Sequence, residues 1–178
     1  MPLKYEQTRD SIASGDVLLF AGHGFWSSLI RWRTSSRITH AGFCAWWGPR
    51  LLVLEAKEKI GVRVYPLSEY LRDNSYQVYW YKLDDPAIIR SEVYHAALEQ
   101  IGKRYASWRQ FWRSWIANPF KWTTDTDADR FHCSEYVWGC LQVGASAGHE
   151  LLEQEPPKVS PAKLVFLPSL RNMGRIVE

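Results

Sequence analysis

The sequence predicts an α+β domain on three observations. β-forming segments crowd the chain as far as Tyr81, helical periodicity takes over after Asp84, and no repeat, low-complexity tract or Gly/Ser linker separates the two parts. The 178 residues, 46% hydrophobic and 23% charged, suffice for one core, so the expectation is a single domain over residues 1–178. That balance excludes disorder, collagen and coiled coil. No apolar run approaches the roughly 18 to 20 residues of a spanning helix, and the first residues, Met1-Pro2-Leu3-Lys4, show no secretory pattern. A cytoplasmic protein is the expectation. The net charge of +3 is too small to make nucleic acid the default partner. The outlier is aromatic content, with 10 Trp, 9 Tyr and 7 Phe.

Taken in order, the elements begin with Gly15-Asp16 and the apolar run at residues 17–20, which reads as a buried strand. Residues 25–33 carry apolar side chains at helix-like spacing. A hairpin follows, with strands at 40–46 and 51–56 about a turn at Trp47-Gly48-Pro49. Residues 61–65 and 76–81 are two further strand candidates, rich in β-formers. Asp84-Asp85-Pro86 supplies a cap and a first-turn proline for a helix over 87–101, and Gly102 stands where a left-handed residue would end it. Ser107 suits the cap of another helix, whose Trp108, Phe111, Trp112 and Trp115 share one stripe. After a polar turn at 123–129, a third helix places Cys133, Tyr136, Val137, Cys140, Leu141 and Gly144 on one face.

Three cysteines, Cys44, Cys133 and Cys140, in no CxxC spacing argue against a disulfide framework, and without an HxxxH or CxxC pattern no metal or other cofactor is expected. Cys133 opens a helix, where unpaired backbone N–H groups and the dipole favour a thiolate. The same position equally suits the first apolar residue of a core stripe. Cys140, two turns on, reads as core.

A nucleophilic thiol needs a base, commonly a histidine oriented by a third polar group. His40 follows Ile38-Thr39 at the start of a strand. A hairpin turn centred between Trp47 and Gly48 sets residue 40 opposite residue 55, which is Glu55, and opposed side chains share a face. Glu55 follows Leu51-Leu52-Val53-Leu54, where a carboxylate needs a partner unless it stands on an edge strand with its head in solvent. A one-residue change of register would send it to the other face. His23, His95 and His149 read as structural or solvated, and His132, whose side chain is expected to point away from that of Cys133, has a minor role at most.

These residues resemble a known family. Phe131-His132-Cys133-Ser134-Glu135-Tyr136-Val137, with Gly102-Lys103-Arg104-Tyr105 upstream, is similar to the cysteine motif of the NlpC-type papain-like hydrolases. In ordinary members the cysteine precedes the histidine. Here Gly15-Asp16-Val17-Leu18-Leu19-Phe20 and Thr39-His40-Ala41-Gly42-Phe43 come first, an order that resembles the circularly permuted YiiX/YebB-like branch, more distantly linked to lecithin:retinol acyltransferases. Val159-Ser160-Pro161-Ala162-Lys163-Leu164 is also similar to that branch. The resemblance implies an antiparallel sheet or small barrel packed against a cysteine-bearing helix. It assigns Cys133 as nucleophile, His40 as general base and Glu55 as orienting residue, with Tyr105 binding substrate or stabilising the oxyanion. The long, Trp-rich segment between Tyr105 and Cys133 departs from the family pattern, so the substrate does not carry over; an amide- or acyl-containing peptide, peptidoglycan fragment or lipid is the expected partner.

The expected reaction is amide hydrolysis through a thioester. Lipid acyl transfer or ester cleavage is the alternative within catalysis, and a non-catalytic peptide-, glycan- or lipid-binding relative is the alternative outside it. Trp108, Trp112 and Trp115, flanked by Arg109 and Arg113, suit a peripheral membrane contact; core packing of an amphipathic helix explains the same stripe.

Overall fold

The run Val17-Leu18-Leu19-Phe20 is apolar on both faces of a strand, a pattern that calls for cover on both sides. In the computed structural model, which describes residues 1–22, 36–105, 130–131, 133–149, 151 and 160–178, this run begins β2 (Val17–Gly22), and all six of its residues are buried. β2 lies in the middle of a seven-stranded sheet. With β1 (Leu3–Lys4), β3 (His40–Trp47), β4 (Arg50–Lys57), β5 (Gly61–Pro66), β6 (Tyr76–Leu83) and β9 (Leu170–Val177), the order is β1-β9-β6-β2-β3-β4-β5. A separate pair joins β7 (Arg104–Tyr105) to β8 (Arg130–Phe131) in parallel. The described helices are α1 (Tyr5–Thr8), α2 (Leu67–Arg72), α3 (Arg90–Glu99), α4 (Cys133–Gly144) and α5 (Pro161–Leu164).

Alternation along the strands divides the core in two. Val17 and Leu19 of β2 join Phe43, Leu54, Val93, Tyr136 and Val137 on the side covered by α3 and α4. Leu18 and Phe20 join Cys44, Val53, Leu67, Tyr70 and Trp80 on the side covered by α2.

The α+β class holds, with two corrections to the expected sheet. It is mixed, because β1 and β9 pair in parallel, and it is open, because no pairing joins β1 to β5; the small-barrel alternative falls. The expected progression from strands to helices also misses β9, which follows α5. Its sequence Leu170-Arg171-Asn172-Met173-Gly174-Arg175-Ile176-Val177 buries only Leu170 and Ile176, so it carries no apolar alternation to read.

Helix α4 begins at Cys133 as the stripe predicts, and Tyr136, Val137, Cys140, Leu141 and Gly144 are all buried. Helix α3 begins at Arg90, later than the expected 87, and Asp84-Asp85-Pro86 does not cap it. The reason is competition. Asp85 accepts from the Ala87 N–H and pairs with His149 at 2.9 Å, while Ile88 bridges to Ala145 and Ile89 donates its N–H to Gly144, so residues 85–89 are held against the end of α4. Gly102 takes the left-handed conformation expected of it, φ +88°. The predicted helix at 25–33 and the aromatic stripe of Trp108, Phe111, Trp112 and Trp115 lie outside the described residues, as do Trp108, Trp112 and Trp115 as membrane contacts, the turn at 123–129, His23, His132 and Val159. Among the described residues no helix is long and apolar enough to cross a membrane.

Candidate active site

Two hydrogen bonds fix the start of β3. Thr39 donates its N–H to the Phe20 carbonyl at 2.8 Å, and its hydroxyl accepts from the Gly22 N–H at 3.1 Å. His40 is therefore held beside Phe20, its strand partner, with ring centroids 5.4 Å apart.

The turn after β3 is centred between Gly48 and Pro49, since Trp47 pairs with Arg50. The expected direct opposition of His40 and Glu55 is thus corrected. Carried to the strand start, the observed register sets Gly42 opposite Glu55 and makes His40 its diagonal neighbour. A shift of two residues keeps the same face, so the two side chains still meet: His40 Nε2 and Glu55 Oε2 are 2.5 Å apart. Gly42 makes this possible. A Cβ there would stand 2.7 Å from the Leu54 carbonyl oxygen and 3.2 Å from the Glu55 Cβ, so β3 and β4 approach more closely than any side chain would allow.

Glu55 is fully buried on an interior strand, and the solvated edge-strand alternative is excluded. Arg63, its direct partner on β5, donates through Nε at 2.8 Å and Nη2 at 2.8 Å to Oε1. The Tyr70 hydroxyl from α2 lies 2.8 Å from Oε1 and 2.7 Å from Oε2. Burial alone would raise the Glu55 pKa. His40 first, then Tyr70 and Lys57, outweigh it and hold the carboxyl at about 2.

Cys133, the first residue of α4, interacts electrostatically with the His40 ring. Glu55 occupies Nε2, so Nδ1 is the ring nitrogen that this bond leaves over. Burial disfavours the charged ring, yet Cys133 and Glu55 together raise the His40 pKa to about 9. The other two cysteines sit apart from any such group, and burial pushes the Cys44 thiol well up and the Cys140 thiol to about 12. The structure thus brings together Cys133, His40 and Glu55.

Tyr105 is placed by backbone. Val62 donates its N–H to the Lys103 carbonyl at 2.8 Å and accepts from the Gly102 N–H at 2.9 Å. Gly61, at φ +101°, permits that contact, since a Cβ would lie 2.3 Å from the Lys103 oxygen. The following β7 sets Tyr105 opposite Phe131, two residues before Cys133, while the Tyr105 side chain lies outside the described residues.

Sequence reasoning missed Arg63, Tyr70 and Lys57. It also passed over Asp16, a fully buried carboxylate that accepts from Trp80 Nε1 at 2.9 Å, the Leu83 N–H at 3.1 Å and Arg90 Nη1 at 2.6 Å, and so ties β2 to β6 and α3. A cleft of about 370 Å³ lies on the Tyr70 side, bounded by Lys57, Arg63, Tyr65, Glu69 and Tyr76. His40 and Cys133 do not line it.

A helix-opening cysteine against a histidine on an adjoining sheet, with the histidine earlier in the chain, defines a permuted papain-like protein. The chain belongs to the family described as permuted papain-like amidase enzyme, YaeF/YiiX, C92, whose model matches residues 11–155. Among solved structures it is similar to the crystal structure of metalloprotein yiiX from Escherichia coli O157:H7, with a TM-score of 0.65 and 18% identity over 94% of this chain and 99% of that one. That likeness concerns the fold. A search of curated proteins by sequence finds no match. Among the described residues no three His, Cys, Asp or Glu side chains come together as a metal-binding group.

Proposed function

We propose that the chain is a cysteine amidase in which Cys133 is the nucleophile, His40 the proton carrier and Glu55 the residue that orients it. The observation that carries this reading is the bond of Glu55 to His40 Nε2, with Cys133 at the start of α4 near enough to interact with the same ring. The Cys133 sulfur attacks the carbonyl carbon of an amide, forming the S–C bond. Collapse of the tetrahedral intermediate breaks the C–N bond, and the amine leaves with the proton supplied by His40. Water then gives a proton to His40 as its oxygen bonds to the thioester carbon, and collapse of this second intermediate breaks the C–S bond, releasing a carboxylic acid and restoring the Cys133–His40 pair. The backbone N–H of Cys133 at the start of α4 serves the oxyanion, and Tyr105 binds substrate or assists that N–H. Amides of peptides, peptidoglycan fragments or acyl lipids are the substrate classes.

Amide hydrolysis by wild type, Cys133→Ala, His40→Ala and Glu55→Gln tests this reading, together with the rate at which iodoacetamide labels each cysteine at neutral pH. Cys133→Ala lowers turnover by about 10⁴-fold or more. Cys133 labels far faster than Cys44 or Cys140, His40→Ala slows that labelling, and Glu55→Gln slows it less. Equal, slow labelling of all three cysteines, or full activity of Cys133→Ala, overturns the assignment. Release of the acyl group to an added amine or alcohol rather than water would make the same site a transferase.

A further inference from the structure

A carboxylate shut away from water is stable only when its lone pairs are met by donors, and a lone donor leaves it free to turn about its terminal torsion. Glu55 has three donors from three elements: His40 on β3, Arg63 on β5 and Tyr70 on α2. Arg63 and Tyr70 fix the plane in which the carboxylate lies, and with it the position that Oε2 offers to the imidazole.

Both residues are themselves held in place. The Tyr70 ring packs against Phe20, Tyr65 and Tyr76 at centroid distances of 4.6, 5.2 and 5.1 Å. The Arg63 guanidinium lies over the Tyr65 ring, 4.3 Å from its centroid. Lys57 Nζ, which can only donate, points at the Tyr70 hydroxyl at 3.3 Å. That occupies the acceptor side of the hydroxyl and directs its single proton to Glu55. Burial and Glu55 both push the Tyr70 pKa upward, so the donor persists across the working pH range.

We infer that Tyr70 and Arg63 are positioning residues of the active site: acting through Glu55, they hold its Oε2 against His40 and thereby set the charge and orientation of the ring that serves Cys133. This rests on the Cys133–His40–Glu55 reading above. Neither residue acts on substrate; removing either loosens Glu55, and a loosened Glu55 no longer supports the protonated ring.

The test follows the titration of His40 by NMR on protein labelled with ¹⁵N-histidine, beside the alkaline limb of kcat/KM. In Tyr70→Phe, which keeps the packed ring, and in Arg63→Gln, the His40 midpoint moves down from about 9 by about one pH unit, and the alkaline limb moves with it. Arg63→Lys, which keeps the charge without the fork, recovers part of the shift. In a Glu55→Gln background Tyr70→Phe adds nothing, because its route to His40 is already cut. The inference is overturned if Tyr70→Phe and Arg63→Gln lower thermal stability but leave the midpoint and the limb in place, or if Tyr70→Phe shifts both equally with and without Glu55. The NMR midpoint needs no turnover. Should Cys133→Ala hydrolyse amides as well as wild type, the nucleophile assignment falls, while the midpoint still decides the role of Tyr70 and Arg63.

Discussion

At the residue scale, His40 and Glu55 make opposite demands on pH. The His40 pKa is raised from 6.5 to about 9, so its contribution to stability is complete below 6.5 and disappears as pH rises through about 9. The Glu55 pKa is lowered from 4.5 to about 2, so its contribution is complete above 4.5 and disappears as pH falls through about 2. Cys133 is the first cause that raises His40 and Glu55 the second, and the His40–Glu55 interaction common to both shifts is to be counted once. Denaturant titrations of wild type and Glu55→Gln should therefore differ most between pH 4.5 and 6.5, by about 3 kcal/mol, and converge toward both extremes. A difference that is flat with pH would show that the pair has no such linkage. Part of this site is legible in the sequence. Glu55 stands out because Leu51-Leu52-Val53-Leu54 offers a carboxylate no solvent, and the hairpin parity leads to His40 even with the turn misplaced, since an error of two residues preserves the face. Arg63 was within reach of the same reasoning: the next turn centres on Lys59, which sets Glu55 opposite Arg63. Tyr70 was not, because it reaches Glu55 by tertiary packing of a six-residue helix too short to show periodicity.

At the scale of elements, the closeness of β3 and β4 depends on Gly42. Gly42→Ala places a methyl group 2.7 Å from the Leu54 carbonyl, so the strands must separate where Glu55 meets His40. The expected outcome is a destabilisation of about 1–3 kcal/mol by chemical denaturation, with slower labelling of Cys133 by iodoacetamide. Labelling at the wild-type rate would show that this approach of the strands does not position the pair. The helices teach a different lesson. α4 follows its apolar stripe from Cys133 to Gly144, because a long stripe against a sheet is decided by burial. The start of α3 departs from its apparent cap because Asp85 has tertiary partners that no local pattern announces. Local capping signals yield wherever a distant group offers the capping side chain a second bond.

At the scale of the molecule, the sheet depends on an element with almost no signature of its own. β9 lies between β1 and β6, and two buried side chains with a ladder of backbone hydrogen bonds hold it there. None of its residues belongs to the site. Removing residues 170–178 should nonetheless give aggregated protein, seen by size-exclusion chromatography, rather than a soluble and partly active core, because β6 would present an unpaired edge. Soluble, active protein after this truncation would count against the role given to β9.

The position of β9 also bears on how the chain is made. Synthesis runs from the N-terminus, so the His40–Glu55 hairpin leaves the ribosome before the helix that brings Cys133, and the strand that completes the sheet leaves after both. Until then β1 has no neighbour and the outer edge of β6 stands open. The nascent protein thus carries a nearly finished His40–Glu55 pair on an unfinished sheet. Its most exposed moment lasts until β9 has emerged, and a chaperone that guards it has to cover β6.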